Sequence, residues 1–396
     1  MKAKSLQVVL LFFVLLVFAL AGIFVFAFFK NHPESIEKPV FYPDTESRWP
    51  MFHGLAALTG IGEGRIAETP VLRWKFRTGD EVKAPPVVDS GMVFAGSLDG
   101  YFYAVDLFAG REKWSFQSRD QIEGAACIVG DTVFFGSADS FLYALEKASG
   151  ELKWKFETGG KILGSVNTAV LSSGRICVIF GSYDNVLYCL DAVTGDEVWR
   201  YETSSYVNST PAISDGLAVF GGCDGMLHMV SVEDGSEVKT VDAGAYVAGS
   251  AAIEAGRVYT GNYNNSFFCA DIETGDMLWE YTGSEEPYFS SPAVIQGKAI
   301  IGGRDGNLHC INAENGNVIW KFAALDDIDS SPAITDSKVV FGSEDGRLYV
   351  VDMDTGLEVW SFETGKPLTS SPAIAGGMII IGCGDGSIYA FDGAVQ

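Results

Sequence analysis

The chain has 396 residues, with 27 Lys and Arg against 51 Asp and Glu, so its formal net charge is −24. This acidity argues against a nucleic-acid partner, whose phosphates would be repelled. Because 47% of the residues are hydrophobic and 13% are aromatic, the chain can bury a large core and does not resemble a disordered acidic tail.

Residues 1–30 are predicted to form a signal anchor with one transmembrane helix. Residues 8–29 carry no charge, and about 22 residues at 1.5 Å each make about 33 Å of helix, enough to span a bilayer core. A cleaved signal peptide is the alternative, because Ala19, Leu20 and Ala21 form a small-x-small pattern, although such a signal has a shorter apolar core. Lys2 and Lys4 favour a cytoplasmic amino terminus, which places the rest of the chain in the periplasm or outside the cell.

The next segment, residues 31–48, carries prolines and charged residues without apolar periodicity. This composition predicts a linker. The rest of the chain, residues 49–396, is predicted to form a single domain.

This domain contains an internal repeat of about 40 residues. Seven tryptophans mark its phase, at Trp74, Trp114, Trp154, Trp199, Trp279, Trp320 and Trp360. Lys239 stands where the series lacks a tryptophan. A glycine recurs in the same phase, at Gly96, Gly136, Gly181, Gly221, Gly261, Gly302, Gly342 and Gly382. The domain therefore contains eight copies of one unit.

Each copy is predicted to be a four-stranded antiparallel sheet. In residues 330–365, four short apolar or alternating runs are separated by turns rich in Asp, Gly and Ser. The Asp-Gly pair of the second turn supplies the positive φ that a tight hairpin needs. Four strands in about 40 residues are typical of a β-propeller blade, so the fold is predicted to be an all-β, eight-bladed propeller.

The two ends of the domain predict how the ring closes. The eighth copy ends soon after its third strand, residues 387–392, and lacks a fourth. A matching unpaired strand, residues 71–76, precedes the first full copy. This strand is therefore predicted to complete the last blade, with Trp74 pairing with the strand around Tyr389.

The segment between the third and fourth strands carries the clearest family signal. It reads AVDLFAGREKW in residues 104–114 and VVDMDTGLEVW in residues 350–360, with four further good copies between them. This pattern resembles the tryptophan-docking motif of the pyrroloquinoline-quinone-type (PQQ-like) propellers, which include quinoprotein alcohol dehydrogenases and BamB-like proteins. A WD40 propeller is not favoured, because its Gly-His and Trp-Asp pairs are missing. The resemblance implies that the seven tryptophans pack between blades and are structural.

The cysteines and the Asp-Gly turns are read as parts of this frame. Cys189, Cys269 and Cys310 occupy a repeat position where other copies have alanine, so they are predicted to be small buried hydrophobes. One disulfide between Cys177 and Cys189 stays open as an alternative. The Asp-Gly turns offer too few oxygens for a calcium loop and are predicted to be hairpin turns.

The best candidate for a ligand or partner site is one mouth of the central channel, which the residues leading into each first strand should ring. Counting back 13 residues from each repeat glycine gives Lys83, Glu123, Leu163, Asn208, Ala248, Phe289, Asp329 and Thr369, with Leu163 the best match in a longer copy. Tyr206, Tyr246 and Tyr288 lie beside them in the sequence. The alternative is that these residues form an ordinary solvated loop surface.

No catalytic, cofactor-binding or metal-binding residue is predicted. Quinoprotein dehydrogenases bind PQQ with an adjacent-cysteine disulfide, a calcium ion, a stacking Trp and a catalytic Asp, and the chain has neither a Cys-Cys pair nor a Trp at the predicted mouth. Asp327 and Asp329 with Asn208 are the one carboxylate–amide set that could be nominated. Motifs of Ser hydrolases, zinc proteases and phosphate loops are also missing.

The sequence therefore predicts a membrane-anchored, extracytoplasmic propeller that acts as a non-catalytic binding or scaffold protein. Its partner is expected to be a protein, such as an envelope assembly or export component, and no cofactor is expected. The alternative is a PQQ-dependent quinoprotein oxidoreductase that would need PQQ and calcium.

Overall fold

The computed structural model of the protein describes residues 48–392. The transmembrane helix predicted for residues 1–30 and nearly all of the predicted linker lie outside the described residues. Within residues 48–392, no helix is long and apolar enough to cross a membrane. The described part contains 32 strands, which pair into eight four-stranded antiparallel sheets. The prediction of an all-β, eight-bladed propeller is confirmed.

The strands follow one another in chain order, four to a blade. The first, β1, spans Val71–Arg77 and lies ahead of blade 1. Blades 1 and 2 contain β2 Val87–Asp89, β3 Met92–Gly96, β4 Tyr101–Asp106, β5 Glu112–Gln117, β6 Cys127–Val129, β7 Thr132–Gly136, β8 Phe141–Glu146 and β9 Leu152–Glu157. Blades 3 and 4 contain β10 Asn167–Val170, β11 Ile176–Gly181, β12 Val186–Asp191, β13 Glu197–Glu202, β14 Ala212–Ser214, β15 Leu217–Gly221, β16 Met226–Ser231 and β17 Glu237–Asp242.

The second half of the ring repeats this order. Blades 5 and 6 contain β18 Ala252–Glu254, β19 Arg257–Gly261, β20 Phe267–Asp271, β21 Met277–Tyr281, β22 Ala293–Ile295, β23 Lys298–Gly302, β24 Asn307–Asn312 and β25 Val318–Ala323. Blade 7 and the three C-terminal strands of blade 8 contain β26 Ala333–Thr335, β27 Lys338–Gly342, β28 Arg347–Asp352, β29 Glu358–Glu363, β30 Ala373–Ala375, β31 Met378–Cys383 and β32 Ser387–Asp392. The short first strand of each blade lies innermost, and the innermost strands β30 and β2 also contact each other.

The ring closes through its first strand. β1 pairs antiparallel with β32, placing Trp74 opposite Ala390 and Lys75 opposite Tyr389, as predicted. An ion pair of 2.6 Å between Lys75 Nζ and Asp385 Oδ2 supports the seam. Blade 8 therefore has four strands like the others, and the sheet edge that β32 would otherwise expose is covered.

The Asp-Gly turns are hairpin turns whose carboxylates are used within the blade. In blade 7, Asp345 accepts hydrogen bonds from the Arg347 amide (2.8 Å) and from the Tyr349 hydroxyl (2.7 Å). Gly346 follows with φ of +83°, a conformation in which a side chain would be strained. Other blades repeat the pair with a tyrosine or histidine four residues after the aspartate, as in His309 Nε2 with Asp305 Oδ1 at 3.0 Å.

Six of the seven docking tryptophans lie against a turn glycine of the next blade. The indole of Trp74 donates to the Leu107 carbonyl at 2.7 Å, and a Cβ on Gly110 would lie only 2.5 Å from that ring. The ring contact recurs for Trp114, Trp154, Trp199, Trp279 and Trp320 with Gly150, Gly195, Gly235, Gly316 and Gly356, and all of these tryptophans except Trp154 also donate an indole hydrogen bond to a backbone carbonyl. Trp360 instead packs on Phe391, with ring centroids 5.5 Å apart. These contacts hold neighbouring blades in register.

Lys239 takes the place of the missing tryptophan without opening the interface. Its aliphatic stem covers Gly275, where an added Cβ would lie 2.4 Å from Lys239 Cδ. Its Nζ donates to the Glu273 carbonyl at 2.6 Å, a backbone acceptor two residues before that glycine. The side chain therefore reproduces both the packing and the hydrogen bond of the indole, with its charge near the surface.

Packing between blades explains why a glycine recurs once in each repeat. A Cβ on Gly96 would lie 2.1 Å from Ile122, the residue that leads into the next blade. The same close approach occurs at all eight repeat glycines, and Gly382 of blade 8 receives Val82 ahead of blade 1. Each blade therefore inserts one apolar side chain into a notch of its neighbour that only glycine leaves open.

All seven cysteines are free thiols, so the possible disulfide between Cys177 and Cys189 does not form in this structure. In the pairing of β11 with β12, Cys177 lies opposite Asp191 and Cys189 lies opposite Ile179. The two cysteines are therefore diagonal neighbours. Six of the seven are buried, in line with their predicted role as small apolar residues.

Residues 49–62, which we call the plug, lie across the inner ends of the blades. Trp49 exchanges two backbone hydrogen bonds of 2.8 Å with Val88 in blade 1. Plug carbonyls then accept backbone or amide N–H groups from blades 2 to 7, namely those of Ile128, Asn167, Ile213, Ile253, Val294 and Ile334. Gly62 packs against Ile374 of blade 8. The innermost strands have no neighbour strand on the channel side, and the plug satisfies their inward N–H groups.

Candidate functional site

The innermost strand of every blade begins at the same face of the ring. In each blade, three residue positions contribute to this face. The outer position lies in the loop leading into the blade, and its carbonyl accepts the amide N–H of the turn position, the second residue after the repeat glycine. This bond recurs in all eight blades at 2.8–3.1 Å, for example from Tyr263 to Tyr246. The channel position follows two residues after the outer one. We call these positions together the rim.

The rim side chains are as varied as the frame is uniform. The outer positions are Glu81, Gln121, Lys161, Tyr206, Tyr246, Pro287, Asp327 and Pro367. The turn positions are Leu98, Ala138, Tyr183, Cys223, Tyr263, Arg304, Glu344 and Gly384. The channel positions are Lys83, Glu123, Leu163, Asn208, Ala248, Phe289, Asp329 and Thr369, the residues obtained by counting back from the repeat glycines.

A cavity of about 170 Å³ lies at the centre of the rim. Five of the eight channel positions line it, namely Glu123, Leu163, Asn208, Ala248 and Phe289. Phe52 of the plug also lines it, so the plug contributes to the wall of this cavity. The Asn208 Oδ1 atom is buried and has no hydrogen-bond partner. The remaining predicted residues Lys83, Asp329 and Thr369 do not line this cavity.

Serines form the wall of the cavity just below the rim. The Ser291 hydroxyl accepts the Ser250 amide N–H at 2.8 Å, and the Ser331 hydroxyl accepts that of Ser291 at 2.8 Å. Ser371 continues the series by accepting the amide of Ser331 at 3.0 Å. These blade-to-blade bonds fix the spacing of the inner strands and give the cavity a polar wall.

At the rim, the Arg304 side chain contacts both Phe289 and Asp329. The guanidinium carbon lies 3.5 Å above the centroid of the Phe289 ring. The same guanidinium donates to Asp329 from Nε (2.9 Å) and from Nη2 (2.7 Å) in a fork that fits a carboxylate. Asp329 is therefore occupied by an arginine and is not available to a metal ion together with Asp327 and Asn208, the set nominated from the sequence.

Two further carboxylates lie around this arginine. Asp327 is 3.9 Å from Arg304 Nε, and burial together with the neighbouring Asp329 charge raises the pKa of Asp327 above its usual value. Burial, Asp329 and Asp327 likewise raise the pKa of the Glu344 carboxyl. One arginine is thus shared by three carboxylates, which leaves this part of the rim negative.

Aromatic rings extend from Phe289 around the rim. Tyr263 packs edge-on against Phe289 with centroids 5.7 Å apart, and Tyr246 lies 6.2 Å from Tyr263. Tyr206 stacks on Tyr183 at 4.8 Å with nearly parallel planes. The exposed fractions of Tyr206, Tyr246 and Tyr263 are 49%, 55% and 52%. Large apolar faces are therefore open to solvent on two neighbouring blades, 4 and 5.

Tyr288 does not belong to this surface, contrary to the sequence prediction. Its side chain is fully buried, and it fills the notch at Gly261 that isoleucine or valine fills in most other blades. The residue just before a channel position points between blades in every copy, so a neighbour in sequence is not a neighbour at the rim.

The turn positions, including Tyr183, Tyr263, Arg304 and Glu344, were not among the residues predicted from the sequence. The Asp-Gly pair alone predicts a hairpin turn, and it says nothing about the residue before the aspartate. The signal was present, because this residue differs from copy to copy within an otherwise constant turn. Residues 49–60 resemble the segment that leads into the first blade in PQQ-like propellers, but the hydrogen bonds of the plug to the inner strands were not predicted, since residues 49–62 have no strand or helix periodicity.

Within residues 48–392, no three His, Cys, Asp or Glu side chains group closely enough to hold an ion. The three histidines of that range, His53, His228 and His309, are all buried, the last two against the turn aspartates Asp224 and Asp305.

Comparison of the sequence with family models gives two matches. The model described as "Outer membrane protein assembly factor BamB" matches residues 63–158. The model described as "Beta-alanine-activating enzyme, beta-propeller" matches residues 167–375. A search of curated protein sequences finds no match.

Solved structures give the same fold. BamB from Moraxella catarrhalis is 19% identical, with a TM-score of 0.69 over 82% of this chain and 97% of that one. The quinohemoprotein alcohol dehydrogenase ADHIIG from Pseudomonas putida HK5 is 13% identical, with a TM-score of 0.74 over 89% of this chain and 82% of that one. The computationally designed Ika8 protein is 17% identical, with a TM-score of 0.71 over 83% of this chain and 100% of that one.

At such identities the likeness shows the fold alone, and the proteins that share this fold include an outer membrane protein assembly factor, an alcohol dehydrogenase and a computationally designed protein. The family model, by contrast, spans more than half of the chain. The protein therefore belongs to the β-propeller family represented by the propeller of the beta-alanine-activating enzyme, and it is a PQQ-like eight-bladed β-propeller.

Proposed function

We propose that the protein is a non-catalytic binding or scaffold protein whose rim receives a protein partner. The observation that carries this proposal is the contrast between a constant frame and a rim of varied, partly exposed aromatic and charged side chains. Exposed tyrosines such as Tyr246 and Tyr263 supply large, rigid contact areas of the kind enriched at protein interfaces.

The chemistry of the rim supports binding over catalysis. A general base must reach its substrate, and the histidines of residues 48–392 are all buried. Asp329 is engaged by Arg304 in a two-bond fork. The channel cavity of about 170 Å³ is smaller than the roughly 300–1,000 Å³ typical of cofactor pockets.

These features also bear on PQQ. Phe52 contributes to the wall of this small cavity, and Glu123 is the one carboxylate among the residues that line it. Calcium takes roughly six to eight oxygen ligands, usually with several carboxylates. The residues present therefore do not fit the PQQ–calcium pair of the quinoproteins, and we propose a function without either.

The proposal retains the predicted location. Residues 1–30 would anchor the chain in a membrane with the amino terminus in the cytoplasm, and the propeller would work in the periplasm or outside the cell. An envelope assembly or export component is the partner class that we propose. Alkaline carbonate extraction of membranes tests the anchor, since a protein with a spanning helix stays in the pellet.

The deciding experiment is affinity capture of the full chain from detergent-solubilised membranes. We expect one or more proteins to copurify reproducibly, and capture of none would contradict the scaffold function. In parallel, purified protein is mixed with PQQ and calcium and assayed for spectral binding and for dye reduction with alcohols. A tight PQQ complex with dye reduction would establish the oxidoreductase alternative instead.

A further inference from the structure

The rim positions of blades 4 to 7, which we call the mouth sector, differ in chemistry from the rest of the rim. Four of their twelve side chains are aromatic, three are carboxylates and one is a cation: Tyr206, Tyr246, Tyr263, Phe289, Asp327, Asp329, Glu344 and Arg304. The loops beside them add Glu285, Glu286 and Asp326, all exposed. The other four blades place Lys83 and Lys161 at the rim, and neither lies in the mouth sector.

The mouth sector offers a ligand mainly aromatic ring faces, carboxylates and one amide oxygen. The ring faces of Tyr246 and Tyr263 carry negative π density and are about half exposed. The carboxylates Asp327 and Glu344 accept hydrogen bonds, and the buried Asn208 Oδ1 has no donor. A group with several N–H donors and a positive charge complements such a surface, whereas an anion is repelled by it.

The structure itself contains an example of how such a group is held. The guanidinium of Arg304 stacks on the Phe289 ring, 3.5 Å from its centroid, and donates two hydrogen bonds to the Asp329 carboxylate. Tyr263 and Glu344 occupy the same turn position in the blades on either side of Arg304. A second cation beside Arg304 would therefore find the same two kinds of group, an aromatic ring face at Tyr263 and carboxylates at Asp327 and Glu344.

The electrostatic state of the sector favours a cationic occupant. Asp327, Asp329 and Glu344 share the charge of one arginine, and the pKa values of Asp327 and Glu344 are raised because burial and neighbouring negative charges disfavour ionisation. A bound cation relieves that repulsion. Attraction over the whole molecule acts in the same direction, since the net charge is −24.

We propose that the mouth sector docks a basic, extended peptide segment of the partner protein, with Arg or Lys side chains against the exposed rings of Tyr246 and Tyr263 and against the carboxylates of Asp327 and Glu344. This proposal rests on the proposed scaffold function and names the chemistry of its partner. The occupant is a peptide rather than a free amine, because the exposed rings of blades 4 and 5 extend the surface well beyond the space that one cation fills.

The probe is a fluorescein-labelled ten-residue peptide of alternating Arg and Gly, and binding to the purified full chain is followed by fluorescence anisotropy. The Glu–Gly peptide of the same length and a cello-oligosaccharide serve as comparison ligands. We expect saturable binding of the Arg–Gly peptide only. Equal binding of the Glu–Gly peptide, or preference for the oligosaccharide, would overturn the proposal.

Two matched double variants separate a local site from diffuse attraction. Asp327→Asn with Glu344→Gln removes two carboxylates from the mouth sector, and Asp80→Asn with Asp120→Asn removes two exposed ones from the same face outside the rim. We expect the first pair to weaken binding tenfold or more and the second to change it less than twofold at 150 mM salt. Equal effects of the two pairs would mean that net charge alone attracts the peptide.

A further variant, Tyr246→Ser with Tyr263→Ser, tests the aromatic faces. It leaves the charge unchanged, and we expect a fivefold or greater loss of affinity with an unchanged circular dichroism spectrum. Unaltered affinity would remove the tyrosines from the site.

The same variants applied in affinity capture distinguish the two proposals. If partners copurify equally with wild type and with Asp327→Asn/Glu344→Gln, the mouth-sector site is wrong and the scaffold function stands. If nothing copurifies with wild type, the scaffold function itself fails.

Discussion

The two ends of the central channel use the same eight blades in opposite ways. At the plugged end, backbone groups of residues 49–62 bond to inner strands around the ring, and Trp49, Phe52, His53 and Leu58 are buried. At the open end, the rim carries exposed tyrosines and crowded carboxylates such as Asp327. The plugged end thus stabilises the ring, while the open end exposes aromatic and charged side chains that a partner can cover.

The largest expected difference between the ends concerns packing. Trp49→Ala removes an indole that is 1% exposed and packs against Gly54 and Gly62, so we expect the free energy of unfolding to fall by about 3–5 kcal/mol. Tyr246→Ala, at the rim, removes a side chain that is 55% exposed, and we expect a change within about 0.5 kcal/mol. Urea unfolding followed by circular dichroism measures both. Similar losses of unfolding free energy in the two variants would contradict the conclusion that the plug stabilises the ring more than the rim does.

The next difference is the response to acid. Burial lowers the pKa of His53 to about 4, against about 6.5 in an unfolded chain. As the pH falls through this interval the unfolded chain binds a proton that the folded plug excludes, so stability is lost. His53→Asn keeps a donor for the Leu58 carbonyl and tolerates the positive φ of 56°.

We therefore expect wild type to lose about 2–3 kcal/mol more than His53→Asn when urea unfolding is compared at pH 7 and pH 4.5. Carboxylates elsewhere titrate in both proteins and cancel in the difference. Equal losses would show that His53 is not held neutral in the plug.

The smallest effect, of opposite sign, is expected at the rim. The pKa of Asp327 is raised in the fold, so its ionised form weakens the native state at pH 7 and protonation at lower pH relieves that cost. Because the side chain is about one-third exposed, we expect Asp327→Asn to stabilise the protein by about 0.5 kcal/mol or less. The gain should shrink as the pH falls towards 4. Destabilisation by the variant at pH 7 would contradict this account of the rim.

The same two ends differ in how well the sequence predicts them. The blades were predictable because Trp, Gly and Asp-Gly recur in phase, and repetition makes a weak local signal strong. The channel positions followed from that phase, so Glu123, Asn208 and Phe289 were placed at the cavity by counting alone. Tyr288 was misplaced because counting gives the position along the chain but not the face to which the side chain points.

The plug could not be predicted by the same means. It is a single copy, so no repeat amplifies its pattern, and its bonds reach strands as far along the chain as Ile334. The mouth sector was unpredictable for a related reason. Tyr263, Phe289 and Arg304 come together because three positions separated by loops meet at one face, and only Phe289 had been singled out.

The closing strand has a consequence for the synthesis of the protein. Lys75 can form its ion pair only after Asp385, which lies 310 residues further along the chain, has been made. At about 5–20 residues per second, ribosomes need about 15–60 s to make that interval. Throughout it the nascent β1 has no partner strand, and the growing stack of blades has an open edge. A chaperone or export factor that shields β1 during synthesis would thus serve this protein more than one whose strands pair as they emerge.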